Sequence, residues 1–303
     1  MKIIGIDAGG TSFKVLVIDG SDGIVARNRV ATTSPQETLG EVAQWIDCQK
    51  SEHPDIAAIG IASFGPIDRD PASPDWGRIG VTTKDGWEGA NPRRALAQSS
   101  GLPCALETDV NAALLGECEL GAGLGLSDAA YLTIGTGVGG AALVDGALVG
   151  APWHGEFGHV RLRREPSDIA AFAGSCTFHG DCVEGIASAT AIRSRWKAQP
   201  HELPDDHECW VEVSSALAQL CHAIACLVAP QRIILGGGLM LRDSLLARIR
   251  SDFDAVVGGY ASRPEVLDAS TYIVRAGLGD DAGAIGGAAV ARHHLAVTGG
   301  VNA

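Results

Sequence analysis

Lys2-Ile-Ile-Gly-Ile-Asp7-Ala8-Gly9-Gly10-Thr11-Ser12-Phe13-Lys14-Val-Leu-Val-Ile-Asp19 decides the fold. The run Lys2–Asp7 is apolar and ends in an acid, a Gly/Thr turn follows, and Phe13–Asp19 is apolar again. Gly20-Ser21-Asp22-Gly23 is turn chemistry and Ile24–Thr32 reads as a third strand, which predicts an antiparallel meander. The same order returns later. Tyr131–Ile134 is a strand, Gly135-Thr136-Gly137-Val138-Gly139-Gly140 a Gly-rich turn, Ala141–Val144 a strand, Asp145-Gly146 a hairpin signal and Ala147–Val149 a strand. Two meanders with glycine turns at equivalent places imply a duplicated α/β chain of two similar lobes with a cleft between them.

The stretches between the repeats fit that frame. Leu39, Val42, Ala43 and Ile46 predict a helix over Pro35–Lys50, capped by Ser34 with Pro35 at its first position. Ile56–Ser63 and Cys104–Glu107 read as strands, Asn91–Ser100 and Asp109–Glu119 as helices. Residues 65–92 show no periodicity, and a loop of that length in a compact domain is usually functional. Farther on come a helix over Glu212–Val228, a strand Arg232–Leu235 and an Ala/Gly-rich closing helix Ala282–His294.

With 303 residues the chain holds a core without disulfides, and 46% hydrophobic against 19% charged residues excludes disorder. A net charge of −13 and no basic run argue against a nucleic-acid surface. No run approaches ~20 consecutive apolar residues, and because an apolar strand starts at Lys2 no signal peptide is expected. The expectation is a cytoplasmic protein with no membrane partner. Of eight Cys, six stand singly in apolar or helical contexts and read as buried thiols; Cys176 and Cys182 do not.

Gly9, Gly10 and Thr11 supply backbone N–H groups and a hydroxyl to a phosphate, and Asp7 can hold water around Mg²⁺. An ordinary hairpin turn is the alternative. Lys14 is disfavoured as a phosphate ligand by strand alternation. Gly135, Thr136 and Gly137 repeat the chemistry, and a strand rather than a helix follows, which rules out the dinucleotide fingerprint. Two such turns suit opposite sides of one polyphosphate. Gly236, Gly237 and Gly238 follow a strand and allow flat approach of an adenine ring, or else close strand–helix packing. Asp109 stands at a strand-to-helix junction, where a carboxylate is an N-cap, a base for a hydroxyl proton, or both. His159, Cys176, His179 and Cys182 suit a tetrahedral structural Zn²⁺, pinning the loop that presents Glu156; free thiols beside histidines are the alternative.

Together these motifs resemble the ROK family of sugar kinases, within the actin/hexokinase-like (ribonuclease H-like) fold. The resemblance covers nearly the whole chain, through Gly5–Thr11, Ser63-Phe64-Gly65-Pro66-Ile67-Asp68, Glu107–Glu117, Ile134–Gly140, Gly155–His159 and Gly236–Gly238. Ser63–Asp68 and Cys176–Ser188 look most like the bacterial fructokinase branch; the glucokinase branch usually shows a C-x-C-G-x-x-G-C zinc loop.

The resemblance implies ATP-dependent conversion of fructose to fructose 6-phosphate, with Asp109 as base. Gly65, Glu156 and zinc-bound His159 would meet the sugar, while Asp7, Gly9–Thr11, Gly135–Gly137, Thr190 and Gly236–Gly238 would meet Mg-ATP. Thr82, Lys84 and Trp87 are further expected sugar contacts. The branch commonly has Gly-Pro where this chain reads Ala189-Thr190. The implied lobes are residues 1–112 with 285–303, and residues 113–284 with the zinc loop; a homodimer is implied too. Kinases for mannose, glucose or an N-acetylhexosamine are the nearest alternatives. A sugar-sensing repressor would need a helix-turn-helix before Asp7, and an actin-like ATPase would not need a pinned sugar loop.

Overall fold

Ile3, Ile4 and Ile6 are all fully buried, although neighbours in a strand point to opposite faces, so β1 (Lys2–Ala8) is covered on both sides. The computed structural model describes residues 1–20, 23–260 and 263–299. After β1 come β2 (Ser12–Asp19), β3 (Gly23–Ala31), α1 (Pro35–Glu52), β4 (Ile56–Ser63), α2 (Pro92–Ser100), β5 (Cys104–Thr108) and α3 (Asp109–Leu120). Next are β6 (Ala129–Ile134), β7 (Val138–Val144), β8 (Ala147–Leu148), α4 (Pro166–Ala171), α5 (Val183–Ala187), α6 (Ala189–Trp196) and α7 (Cys209–Leu227). The chain ends with β9 (Arg232–Gly236), α8 (Asp243–Val257), α9 (Ala269–Tyr272), β10 (Ile273–Arg275) and α10 (Ala282–Gly299). Ser21 and Asp22, expected in the turn after β2, lie outside the described residues.

Two units result: Met1–Gly125 with Gly150–Trp153 and the chain from Gly277 onward, and Leu126–Val149 with His154–Ala276. In the first, the sheet order is β3-β2-β1-β4-β5, antiparallel across β1–β2–β3 and parallel across β1–β4–β5. In the second it is β10-β9-β6-β7-β8, with the same alternation of sense. The sheets are topological copies, β6 standing for β1 and β9 for β4. The duplication inferred from two glycine turns is therefore a property of whole sheets.

One face of the first sheet packs Ile4, Ile6, Phe13 and Val15 against Leu39, Val42 and Ile46 of α1. The other packs Ile3, Leu16, Ile18 and Ala58 against Ala284, Ala288 and Ala291 of α10. The small residues of α10 let it lie directly on the strands: a Cβ on Gly5 would overlap the Ala284 carbonyl, and one on Gly60 the Gly287 carbonyl. α3 packs on the same helix, with Gly286 backbone 3.0 Å from where a Gly116 Cβ would sit. The boundaries expected at 112 and 285 thus fall inside α3 and α10, and both helices stay whole in the first unit.

Glu117 is fully buried on α3. Its carboxylate accepts from the Ala122 N–H at 2.6 Å, the Gly277 N–H at 2.9 Å and the Leu278 N–H at 3.0 Å. Glu117→Ala leaves three backbone donors around a fully buried position without their acceptor, each costing about 1–3 kcal/mol where water does not reach it. We expect a loss of about 3 kcal/mol or more, read as a lower thermal midpoint of the purified protein. An unchanged midpoint would show that water replaces the carboxylate.

The second unit's core joins Leu132, Ile134 and Leu235 to Trp210, Val213, Leu217 and Ile224 of α7. α7 is long and apolar enough to cross a membrane by length and composition, and it serves here as a core helix. β7 begins at Val138 rather than at the expected Ala141, taking Gly139 and Gly140 into the strand. Phe157 explains the glycine: a Cβ on Gly140 would stand 2.6 Å from the Phe157 Cβ. All eight cysteines are free, and Cys48 and Cys226 are exposed, contrary to the buried reading. Burial pushes the thiols of Cys104 and Cys221 up to about 12, which keeps them unreactive.

Candidate active site and metal centre

The parallel strands β1, β4 and β5 end in register, Ala8 beside Ser63 and Ser63 beside Thr108. Adjacent strands lie about 4.8 Å apart, so three C-terminal strand ends fall within about 10 Å. Gly9-Gly10-Thr11 leaves the first, Phe64-Gly65 the second and Asp109 the third. The C-terminal edge of parallel strands is where open α/β sheets hold ligands.

At the first end the Gly9 N–H donates to Asp7 O at 3.0 Å and Ser12 O at 3.2 Å, closing the turn. A Cβ on Gly10 would lie 2.6 Å from Lys84 Nζ, so a cation stands over this turn. Lys84 therefore belongs beside the glycine turn, a placement its position in the aperiodic loop did not reveal. Trp87 is core instead of a sugar contact: it is 1% exposed, tilts against Phe13 at 5.3 Å and donates to Thr33 O. Lys14 is Asp7's register partner and donates from Nζ to Asp280 O at 2.6 Å. Burial pushes the Asp7 carboxyl up, against the pull of Lys14 and Arg29.

Asp109 is the exposed first residue of α3. The cap is Thr108, whose Oγ1 accepts from the Asn111 N–H at 3.2 Å. This removes the N-cap alternative for Asp109, whose Oδ1 accepts from the Val110 N–H at 2.9 Å.

In the second unit, Ser188 caps α6 by accepting from the Ala191 N–H at 3.0 Å. The helix start is thereby laid on the glycine turn. Ala189 N donates to Gly135 O at 2.8 Å and Thr190 Oγ1 to Thr136 O at 2.8 Å. The same turn takes a third tie from Glu184, whose Oε2 accepts from the Val138 N–H at 3.1 Å. Gly237 has φ +89°, and a Cβ there would stand 2.5 Å from Ile134 N, while one on Gly236 would overlap the Tyr131 hydroxyl. Close packing thus explains Gly236 and Gly237, but against β6 rather than a helix. Gly238 faces open space and lines a cavity of about 600 Å³ with Ala189, Arg193, His201 and Asp243.

His159, Cys176, His179 and Cys182 bring their ligand atoms within 4.8 Å of one another. Cys182 Sγ is 3.5 Å from His159 Nδ1, and Cys176 Sγ is 3.7 Å from His159 Nδ1 and 3.8 Å from His179 Nδ1. A tetrahedral zinc with bonds of about 2.3 Å to sulfur and about 2.0 Å to nitrogen spaces S and N by about 3.5 Å. The donor set and spacing fit that ion. Burial, with Cys176 alongside, pushes the Cys182 thiol up. Glu156 opens the turn that ends in His159, its carbonyl accepting from the His159 N–H at 3.0 Å. Its side chain is exposed, with His154 Nδ1 3.4 Å away.

Two α/β sheets of identical strand order, each with a glycine turn at its first hairpin, define the actin/hexokinase-like class. The ROK family model matches residues 3–294, and the chain belongs to the ROK family. It is 39% identical over 294 residues to the fructokinase of Zymomonas mobilis, covering 96% of either chain. The ROK hexokinase structure from Thermus thermophilus is similar at a TM-score of 0.79 and 25% identity, covering 99% of this chain and 100% of that one. The structure of a ROK glucokinase from Streptomyces griseus, in complex with glucose and AMPPNP, is similar at a TM-score of 0.70 and 26% identity, covering 96% and 99%.

Proposed function

We propose that the protein transfers the γ-phosphoryl group of ATP to O6 of fructose, with Asp109 as the general base. Alignment of three strand ends carries the reading, because it gathers a phosphate-type turn, the Gly65 loop and a carboxylate at one sheet edge. The near-full-length similarity to a fructokinase supports the sugar, and the neighbour holding AMPPNP supports the nucleotide.

In this reading Asp109 accepts the O6 proton as O6 bonds to the γ-phosphorus and the bond from phosphorus to the β,γ-bridging oxygen breaks, releasing ADP. The transfer is mostly a matter of positioning and charge stabilisation, so an ordinary carboxylate suffices. Gly10, Thr11, Thr136 and Gly137 offer N–H and hydroxyl donors to the phosphates, while Gly9 and Gly135 close the two turns with their own N–H groups, and Asp7 is available to a water of the magnesium ion. Thr190 holds the second turn, and Gly238 borders the space for the adenosine. Magnesium, held through a water on Asp7, would neutralise the charge that develops on the phosphates. Gly65, Glu156 and His159 take the sugar, and zinc on His159, Cys176, His179 and Cys182 holds the turn that carries Glu156.

ADP release is measured against fructose, mannose, glucose, N-acetylglucosamine and N-acetylmannosamine. The highest kcat/KM is expected on fructose. A preference for glucose, favoured by the glucose-bound neighbour, would keep the reaction and replace the substrate. No release with any sugar would sink the kinase reading for these sugars.

A further inference from the structure

Arg69 lies in the aperiodic loop after β4, with only 5% of its surface exposed. Its guanidinium forks onto Glu107: Nε donates to Oε2 at 2.8 Å and to Oε1 at 3.1 Å, and Nη2 to Oε1 at 2.9 Å. Glu107 is the penultimate residue of β5. Its Oε2 also accepts from Asn111 Nδ2 at 2.7 Å and from the Thr108 N–H at 3.2 Å. Asn111 is 3% exposed and donates its own N–H to the Thr108 cap. One carboxylate therefore grips the strand end, the cap and the first turn of α3, and Asp109 stands between the gripped residues.

The remaining arm of the fork reaches elsewhere. Arg69 Nη1 donates to Pro152 O at 3.3 Å and to Trp153 O. Trp153 precedes His154-Gly155-Glu156 in the chain. A single buried cation is thus hydrogen-bonded both to the residue that holds Asp109's helix start and to the segment that runs into Glu156.

We propose that Arg69 is a positioning residue for phosphoryl transfer: through Glu107 and Asn111 it aims Asp109, and through Pro152 and Trp153 it fixes the approach to Glu156. This rests on the reading of Asp109 as base. A buried charge is a costly way to hold a loop, since an apolar residue of like volume usually does as well. A planar fork, by contrast, sets orientation, which point-charge Lys cannot reproduce. Orientation is what the reaction is sensitive to: misplacement by about 1 Å costs about 10²-fold.

The test compares Arg69→Met and Arg69→Lys with the parent enzyme in sugar-dependent ADP release, alongside thermal midpoints. We expect kcat to fall about 10²-fold in Arg69→Met, KM for the sugar to rise, and KM for ATP to stay unchanged. Arg69→Lys, which keeps the charge without the fork, should fold and still lose most of that kcat. Glu107→Gln combined with Arg69→Met should be no slower than Arg69→Met alone, because both act through one unit. Parental kcat in a folded Arg69→Lys, or equal penalties on both KM values with kcat intact, would overturn the proposal. Failure of the underlying reading looks different: there Asp109→Asn itself retains parental turnover.

Discussion

Asp109→Asn should lower kcat by about 10²–10⁴-fold while leaving both KM values within a few-fold, which is the range for loss of a positioned base. The substitution is nearly isosteric, and the remaining amide oxygen can still accept from the Val110 N–H that the carboxylate now meets. The helix start does not depend on this side chain, because Thr108 is the cap. What is lost structurally is a negative charge in the first turn, about 0.3–1 kcal/mol against the helix dipole. What is lost chemically is about 4 kcal/mol of barrier for a 10³-fold effect. The chemical term wins, so the thermal midpoint should barely move as turnover collapses. Thr108→Ala separates the two in the other direction: losing a cap costs about 1 kcal/mol of stability and spares the carboxylate. Turnover of Asp109→Asn at the parental rate in the ADP-release assay would remove the base assignment.

Local chemistry made much of this molecule legible in its sequence. Tight turns betray themselves through Gly, Thr and Asp over two to four residues, so both meanders, and with them the duplication, stood out at Gly9–Thr11 and Gly135–Gly137. The Cys176-x-x-His179-x-x-Cys182 loop is local too, and the structure brings His159 to it. What escaped was set by partners far along the chain. Gly139 and Gly140 read as turn because nothing nearby announces Phe157 pressing on the strand. Trp87, expected at the sugar from its place in the aperiodic loop, is instead claimed by Phe13 and Thr33. Arg69 finds Glu107 38 positions away, and Glu117 finds Gly277 160 positions away. Thr108 and Asp109 are both good capping residues, and only backbone geometry says which one caps.

Cys182→Ser, or removal of metal by a chelator, should free residues 160–181 while the rest of the second unit stays folded. No residue from 159 to 181 is buried, and α4 within that stretch buries nothing. Such a segment has little apolar area, chiefly Leu162 and Phe172 laid against the core, to offset the entropy of ordering it, about 1–2 kcal/mol per residue for the backbone alone. Its ties are a few polar contacts, among them Arg164 to the Phe172 and Asp168 carbonyls and Arg161 to Asp181. An exposed ion pair such as Arg161–Asp181 contributes about 0–1 kcal/mol and a hydrogen bond from a charged group about 1.5–3 kcal/mol, whereas structural zinc sites in small peptides supply about 10–16 kcal/mol. With zinc bound as proposed, the metal would be the dominant anchor, and the turn from Glu156 to His159 would be held through its last residue. The core around Trp210, Leu217 and Leu235 includes none of the four ligands, so far-ultraviolet dichroism should change little. Limited proteolysis should instead cut between 160 and 181, zinc content should fall from one per chain towards zero, and KM for the sugar should rise more than KM for ATP. A wild-type protein that binds no zinc, with the same resistance to proteolysis as Cys182→Ser, would leave a cluster of thiols and imidazoles packed for shape alone.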